Sequence, residues 1–144
     1  MKKTLWVSAL ALGFVAGNAI AGTSVFQTSR HNIRISCPFT DNTYHCTYES
    51  WNKPKKIGQG KPDFTMPGTV GMGYMRDCTD PDHCLAGCDR FTFTKGNVVL
   101  EMQGSEEGTG PRCAASAKAP RKVWGDMTIK IDGQLKDHYW VYQK

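Results

Sequence analysis

The residues of this chain best equipped for chemistry are six cysteines: Cys37, Cys46, Cys78, Cys84, Cys88 and Cys113. A cysteine can attack a carbonyl, ligate a soft metal or oxidise to a disulfide, and its setting decides which. Cys78, Cys84 and Cys88 cluster with His83, a donor set suited to zinc or copper. Their spacing, C-x5-C-x3-C, lacks the paired C-x2-C knuckles of a structural zinc site. Two other metal chemistries share this part of the chain. Met66, Met72 and Met75 are soft thioethers that could join His83 around Cu(I), although methionine more often fills gaps beneath loops. Asp77, Asp80, Asp82 and Asp89 offer hard oxygens to Ca²⁺, but without the ligand alternation or closing Glu of an EF-hand loop.

The N-terminus settles which reading of the cysteines is expected. Lys2 and Lys3 precede an apolar run from Leu5 to Ala16, and small residues stand at Ala19 and Ala21. This is the pattern of a bacterial secretory signal over residues 1–21, cut before Gly22. All six cysteines lie downstream of it, and in an oxidising compartment an even set forms a disulfide framework. The expected location is therefore periplasmic or secreted, with no cofactor and no metal. Leu85-Ala86-Gly87-Cys88 spells a lipoprotein cleavage box, but mid-chain, so Cys88 is read as a half-cystine. Beyond the signal, no apolar run approaches the ~20 residues of a membrane helix.

Catalytic patterns are missing. No serine sits in a G-x-S-x-G elbow, and His31, His45, His83 and His138 are scattered without partner motifs. Glu106-Glu107 lies in a glycine-rich loop, where it could do acid–base work or present an acidic tip to a basic protein. Two basic groups each stand beside a tryptophan: Lys53, Lys55 and Lys56 near Trp51, and Arg121 and Lys122 near Trp124. Cations beside exposed aromatics suit an anionic polymer, a glycan or an acidic protein surface; tryptophans turned inward would leave only solvated loops. The chain carries 18 Lys and Arg against 13 Asp and Glu, formally +5. Without Lys2 and Lys3 the excess is an ordinary +3.

Removal of 21 of the 144 residues leaves 123, enough for one domain, residues 22–144, with a substantial core. The periodicity that would position these groups is two rather than 3.6. Ile33, Ile35 and Cys37 share one face of a first strand, and Tyr44, Cys46 and Tyr48 one face of the next, joined through Pro38–Asn42. Phe91 and Phe93 pair through a turn at Gly96 with Val98, Leu100 and Met102. Asp126–Ile131 and Gln134–Gln143 flank Asp132-Gly133, a strong two-residue turn. Ser24–Thr28 is a further short strand. The best helix candidate, residues 113–119, is confined by Pro111 and Pro120. The expectation is an all-β fold: a single small disulfide-linked antiparallel domain, sandwich or barrel-like, with two long loops at residues 50–89 and 104–121.

On facing strands of the first hairpin, Cys37 and Cys46 are expected to bond, and Cys113 must reach back to Cys78, Cys84 or Cys88. In size and compartment the chain has the general look of small exported bacterial β proteins, a group that includes lysozyme inhibitors and toxin-immunity proteins. The expected function is an exported non-enzymatic binding protein of the periplasm, an inhibitor or immunity protein acting on a hydrolase or toxin. A protein partner in the periplasm or extracellular space is expected, an anionic polymer or glycan being the other class. Rival readings are a periplasmic copper- or calcium-binding protein, a secreted glycan-binding subunit and a small secreted enzyme.

Overall fold

A computed structural model describes residues 22–80, 82, 87–106 and 108–144. The signal segment thus lies outside the described residues, as do His83, Cys84 and Glu107. β1 spans Gly22–Gln27. Next in order come β2 (His31–Cys37), β3 (Phe39–Thr40), β4 (Thr43–Tyr44), β5 (Cys46–Asn52), β6 (Phe64–Gly73), β7 (Cys88–Lys95) and β8 (Val98–Gly104). One helical turn, α1 (Gly110–Cys113), precedes β9 (Gly125–Ile131) and β10 (Gln134–Gln143). Eight of the strands close into an antiparallel barrel in the order β1-β10-β9-β8-β7-β6-β5-β2, and β3 and β4 form a small separate hairpin. Of the two all-β architectures expected, the chain adopts the barrel.

Alternation explains the interior. Ile33, Ile35, Cys37, Cys46, Tyr48, Phe91, Phe93, Leu100 and Met102 are all buried, so the inward-facing residues of successive strands meet in one core. Met66, Met127 and Val141, each fully buried, complete it. An eight-stranded barrel is just narrow enough for side chains to fill. The turns obey their residue types. Asp132 and Gly133 take positive φ (55° and 78°), as do Asp41 and Asn42 (52° and 61°) and Gly96 (61°).

Three details depart from the sequence pattern. The first expected loop contains β6, ten residues long, despite Pro67 and three glycines. Its periodicity is masked because Gly68 stands where a core side chain would: a Cβ there would strike the Thr92 carbonyl and the Phe93 ring. Tyr44 does not share the inner face of Cys46. His45 interrupts the strand, and Tyr44 instead packs at a tilt against Phe39, centroids 4.7 Å apart, on the exposed β3–β4 hairpin. The helical turn lies at 110–113, upstream of the expected 113–119. Pro111 starts it rather than stopping it, since a first-turn proline forgoes no helical hydrogen bond. Ala114 is already extended, and the N–H groups of Ala115 and Ser116 go to the Asp126 carboxylate at 2.9 and 3.3 Å.

Candidate binding site at the open end of the barrel

Antiparallel strands send successive loops to opposite ends of the barrel. The turn at 28–30, the 53–63 loop and the turns at 96–97 and 132–133 lie at one end. The β3–β4 hairpin, the described residues between β6 and β7 and those between β8 and β9 lie at the other.

The second end is cross-linked. Cys37 and Cys46 are bonded, as expected, with Cα atoms 4.0 Å apart where the β2–β5 ladder gives way to the β3–β4 hairpin. Cys113 reaches back to Cys88, which is therefore a half-cystine and ties α1 to the start of β7. Cys78 is disulfide-bonded as well. Trp124 packs on Phe26 at 4.6 Å and on Phe91 at 6.1 Å, and its backbone N–H donates to the Val141 carbonyl. Gly104 admits this ring, because a Cβ would collide with the Trp124 indole and carbonyl.

The first end is open. A recess of about 360 Å³ sinks into the barrel between β2, β5, β6, β8, β9 and β10. Its walls are apolar, with Val98, Leu100, Ile129, Ile131 and Phe64, and the Tyr48 ring reaches in from β5. Burial pushes the Tyr48 phenol up to about 12, so it is a neutral hydroxyl at every physiological pH. Around the rim stand His31, Asn52, Asp63, Asp137 and Tyr139. His31 meets Tyr139 edge-on at 5.2 Å. Its pKa is held below the ordinary value mainly by burial and then by Arg30, against the pull of Asp137 and Asp63. Asp63 is held low by Lys55, 2.8 Å away, and by the Asn52 N–H at 2.7 Å. An apolar floor beneath a few convergent polar groups is the usual form of a ligand recess.

The residues singled out in the sequence do not form one surface. Lys53, Lys55 and Lys56 lie beside the open end, on the 53–63 loop. Glu106, Arg121 and Lys122 lie at the cross-linked end, where Glu106 accepts from Gln143 Nε2 at 2.8 Å. Both tryptophans are buried and cannot serve as exposed aromatic partners. Trp51 is covered by the 53–63 loop, donating to the Gly60 carbonyl at 3.1 Å beneath the Arg34 guanidinium, and Trp124 belongs to the core. The physical reason is that each indole is the largest apolar group its loop can cover.

The metal-ligand candidates are dispersed too. Met66 is in the core while Met72 is 63% exposed. Asp77 is engaged by Arg112 at 3.1 Å, which holds its carboxyl below the usual range. Among the described residues, no three of His, Cys, Asp and Glu are grouped to hold a metal ion. His138 Nε2 contacts the buried Asp126 carboxylate at 2.8 Å on the outer wall, with the Trp140 ring edge-on at 4.6 Å.

Sequence reasoning gave no binding role to His31, Tyr48, Asp137 or Tyr139. One signal was available: the inward track of β5 reads Cys46, Tyr48, Ser50, Asn52, turning polar toward its end. A core track that becomes polar marks the place where a barrel opens. No protein-family model, curated protein or solved structure matches this chain.

Proposed function

We propose that this is an exported non-enzymatic binding protein that engages its partner at the open end of the barrel. The observation that carries the proposal is the apolar recess of about 360 Å³ under a polar rim; a second recess of about 320 Å³, lined by Ile35, Cys37, Val70, Asp89 and Phe91, lies at the cross-linked end. A scaffold cross-linked at one end holds such a recess in shape, so little ordering is needed on binding. The disulfides favour an oxidising compartment. With the Lys2-Lys3 start, the apolar run and the Ala19/Ala21 pair, they support export to the periplasm with loss of residues 1–21. The partner in this reading is a protein, as for an inhibitor or immunity protein of a hydrolase or toxin. A rigid mouth that accepts one protruding apolar side chain suits that role.

The test is a pull-down from periplasmic extract and culture supernatant with the mature, oxidised protein. One stoichiometric partner is expected, and Asp137→Arg at the rim should abolish its capture without moving the melting temperature. Capture that survives Asp137→Arg but fails with Arg121→Glu/Lys122→Glu would place recognition at the cross-linked end and overturn the proposal.

A further inference from the structure

The seam that closes the barrel is short. β1 and β10 pair only at Phe26↔Gln143 and Gln27↔Tyr142. β1 stops there because Thr28 turns the chain, its Oγ1 accepting the N–H groups of Arg30 and His31 at 3.2 and 3.0 Å. β10 is ten residues long, so from Gln134 to Val141 it has β9 on one side and, among the described residues, no strand on the other. A register shift between Leu135 and Asp137 disrupts the first part of this edge. Asp137 to Val141 is regular, about 17 Å of strand at ~3.4 Å per residue. Its gap-facing backbone groups have no backbone partner among the described residues.

The gap beside this edge is bridged by the His31 and Tyr139 rings, 5.2 Å apart, and is hollow on either side of that contact. An outer recess of about 440 Å³ is lined by Lys53, Trp140 and Tyr142 together with the β1–β2 turn. A second, of about 430 Å³, crosses the rim past Arg30, His31, Lys53 and Tyr139. It shares His31 and Tyr139 with the mouth recess, so the three form one trough from the outer wall into the barrel.

We propose that an extended segment of a partner protein adds to β10 in this gap as a further antiparallel or parallel strand. The inference rests on the reading that a protein partner binds at the open end, and it names how. Unpaired strand backbone is satisfied by another strand, which is the basis of recognition by β-strand addition. Side chains of the incoming strand alternate. One set faces the mouth and its apolar wall, and the other lies outside against Trp140 and Tyr142. Neither Arg30 nor Lys53 has a carboxylate partner among the described residues, so the segment carries an acidic residue facing them. The occupant is therefore a short extended peptide, alternately apolar, with at least one Asp or Glu.

The experiment displays random linear ten-residue peptides to the mature, oxidised protein and maps the enriched ones by amide hydrogen exchange. Enriched peptides should alternate apolar residues around an acid and slow exchange of the gap-facing amides within Asp137–Val141 by about tenfold or more. Arg30→Glu/Lys53→Glu should weaken binding by roughly tenfold, at unchanged melting temperature. Peptides that bind with contacts to Tyr139 and Asp137 but leave the β10 amides unprotected would overturn strand addition while the open-end site stands. No enrichment would overturn the inference outright. So would a chain that dimerises by itself with these amides protected, or chitin and peptidoglycan oligosaccharides that perturb Trp140 and Tyr142 where peptides do not. The pull-down with Asp137→Arg reports separately on the open-end reading.

Discussion

At one end of the barrel Trp124, Phe26 and Phe91 pack ring against ring beneath a segment tied down by Cys88–Cys113. At the other, His31 and Tyr139 touch edge-on over a recess, and an edge of β10 has no strand paired to it among the described residues. Both ends are built on the same strands. They differ in the connections that join those strands. The cross-linked end receives the longer connection between β8 and β9 with its helical turn, which covers the Trp124 side of the core and leaves a recess of about 320 Å³ beside Ile35, Cys37 and Phe91. The open end receives mostly two- and three-residue turns, too short to cover anything, and its longer 53–63 loop folds outward over Trp51. Stability is thereby concentrated away from the surface left free to recognise something, as expected where a rigid scaffold presents a binding site.

The largest effect should come from truncating the ring cluster. Trp124→Ala should cost roughly 3–5 kcal/mol in denaturant unfolding. A loss below about 1 kcal/mol would mean that the cross-linked end is not the centre of stability.

Next comes Cys88→Ala/Cys113→Ala, which opens a loop of sequence separation 25. The chain-entropy model puts its loss at about 3.5 kcal/mol, read as a fall in melting temperature. If peptide binding at the open end also vanished in the still-folded variant, the two ends would not be independent and the comparison would fail.

Substitutions at the open end should do far less. Lys55→Glu breaks an ion pair with Asp63 whose lysine is 47% exposed. It should leave the melting temperature close to that of the parent, because water screens the pair. A large fall in melting temperature would show that the 53–63 loop is a structural clamp rather than a free rim.

The smallest effect is a pH dependence. His31 titrates lower in the folded chain than in the unfolded one. Between the two pKa values the unfolded chain binds more protons, so stability falls as pH drops through the ordinary histidine value of about 6.5. The contribution is complete above that window and lost below it. His31→Gln should flatten the melting temperature between about pH 7.5 and 5.5, relative to the parent. A parent profile that is flat or rises on acidification would mean that His31 carries its proton in the fold.

Much of the fold could be read from the chain because its rules are local. Alternation places Ile33, Ile35, Phe91, Phe93, Leu100 and Met102 inside, and Asp132-Gly133 specifies a turn whatever surrounds it. Hairpin register alone brought Cys37 opposite Cys46. The even cysteine count pointed to cross-linking without reference to any contact.

Other features belong to the tertiary structure. β6 was hidden because Gly68 contributes no side chain to the pattern; its reason is the Phe93 ring of the neighbouring strand. Cys88 rather than Cys78 or Cys84 meets Cys113 because β7 starts beside α1, a fact of topology. The tryptophans beside the basic groups are both buried, Trp124 in the core and Trp51 under the 53–63 loop on the outer wall, because burial of an indole outweighs the pattern of its neighbours in sequence. The mouth unites residues from six strands, from His31 to Tyr139, whose meeting depends on barrel closure and strand stagger. A chain fixes its turns and faces residue by residue, but which strand is left with an open edge depends on where all the others end.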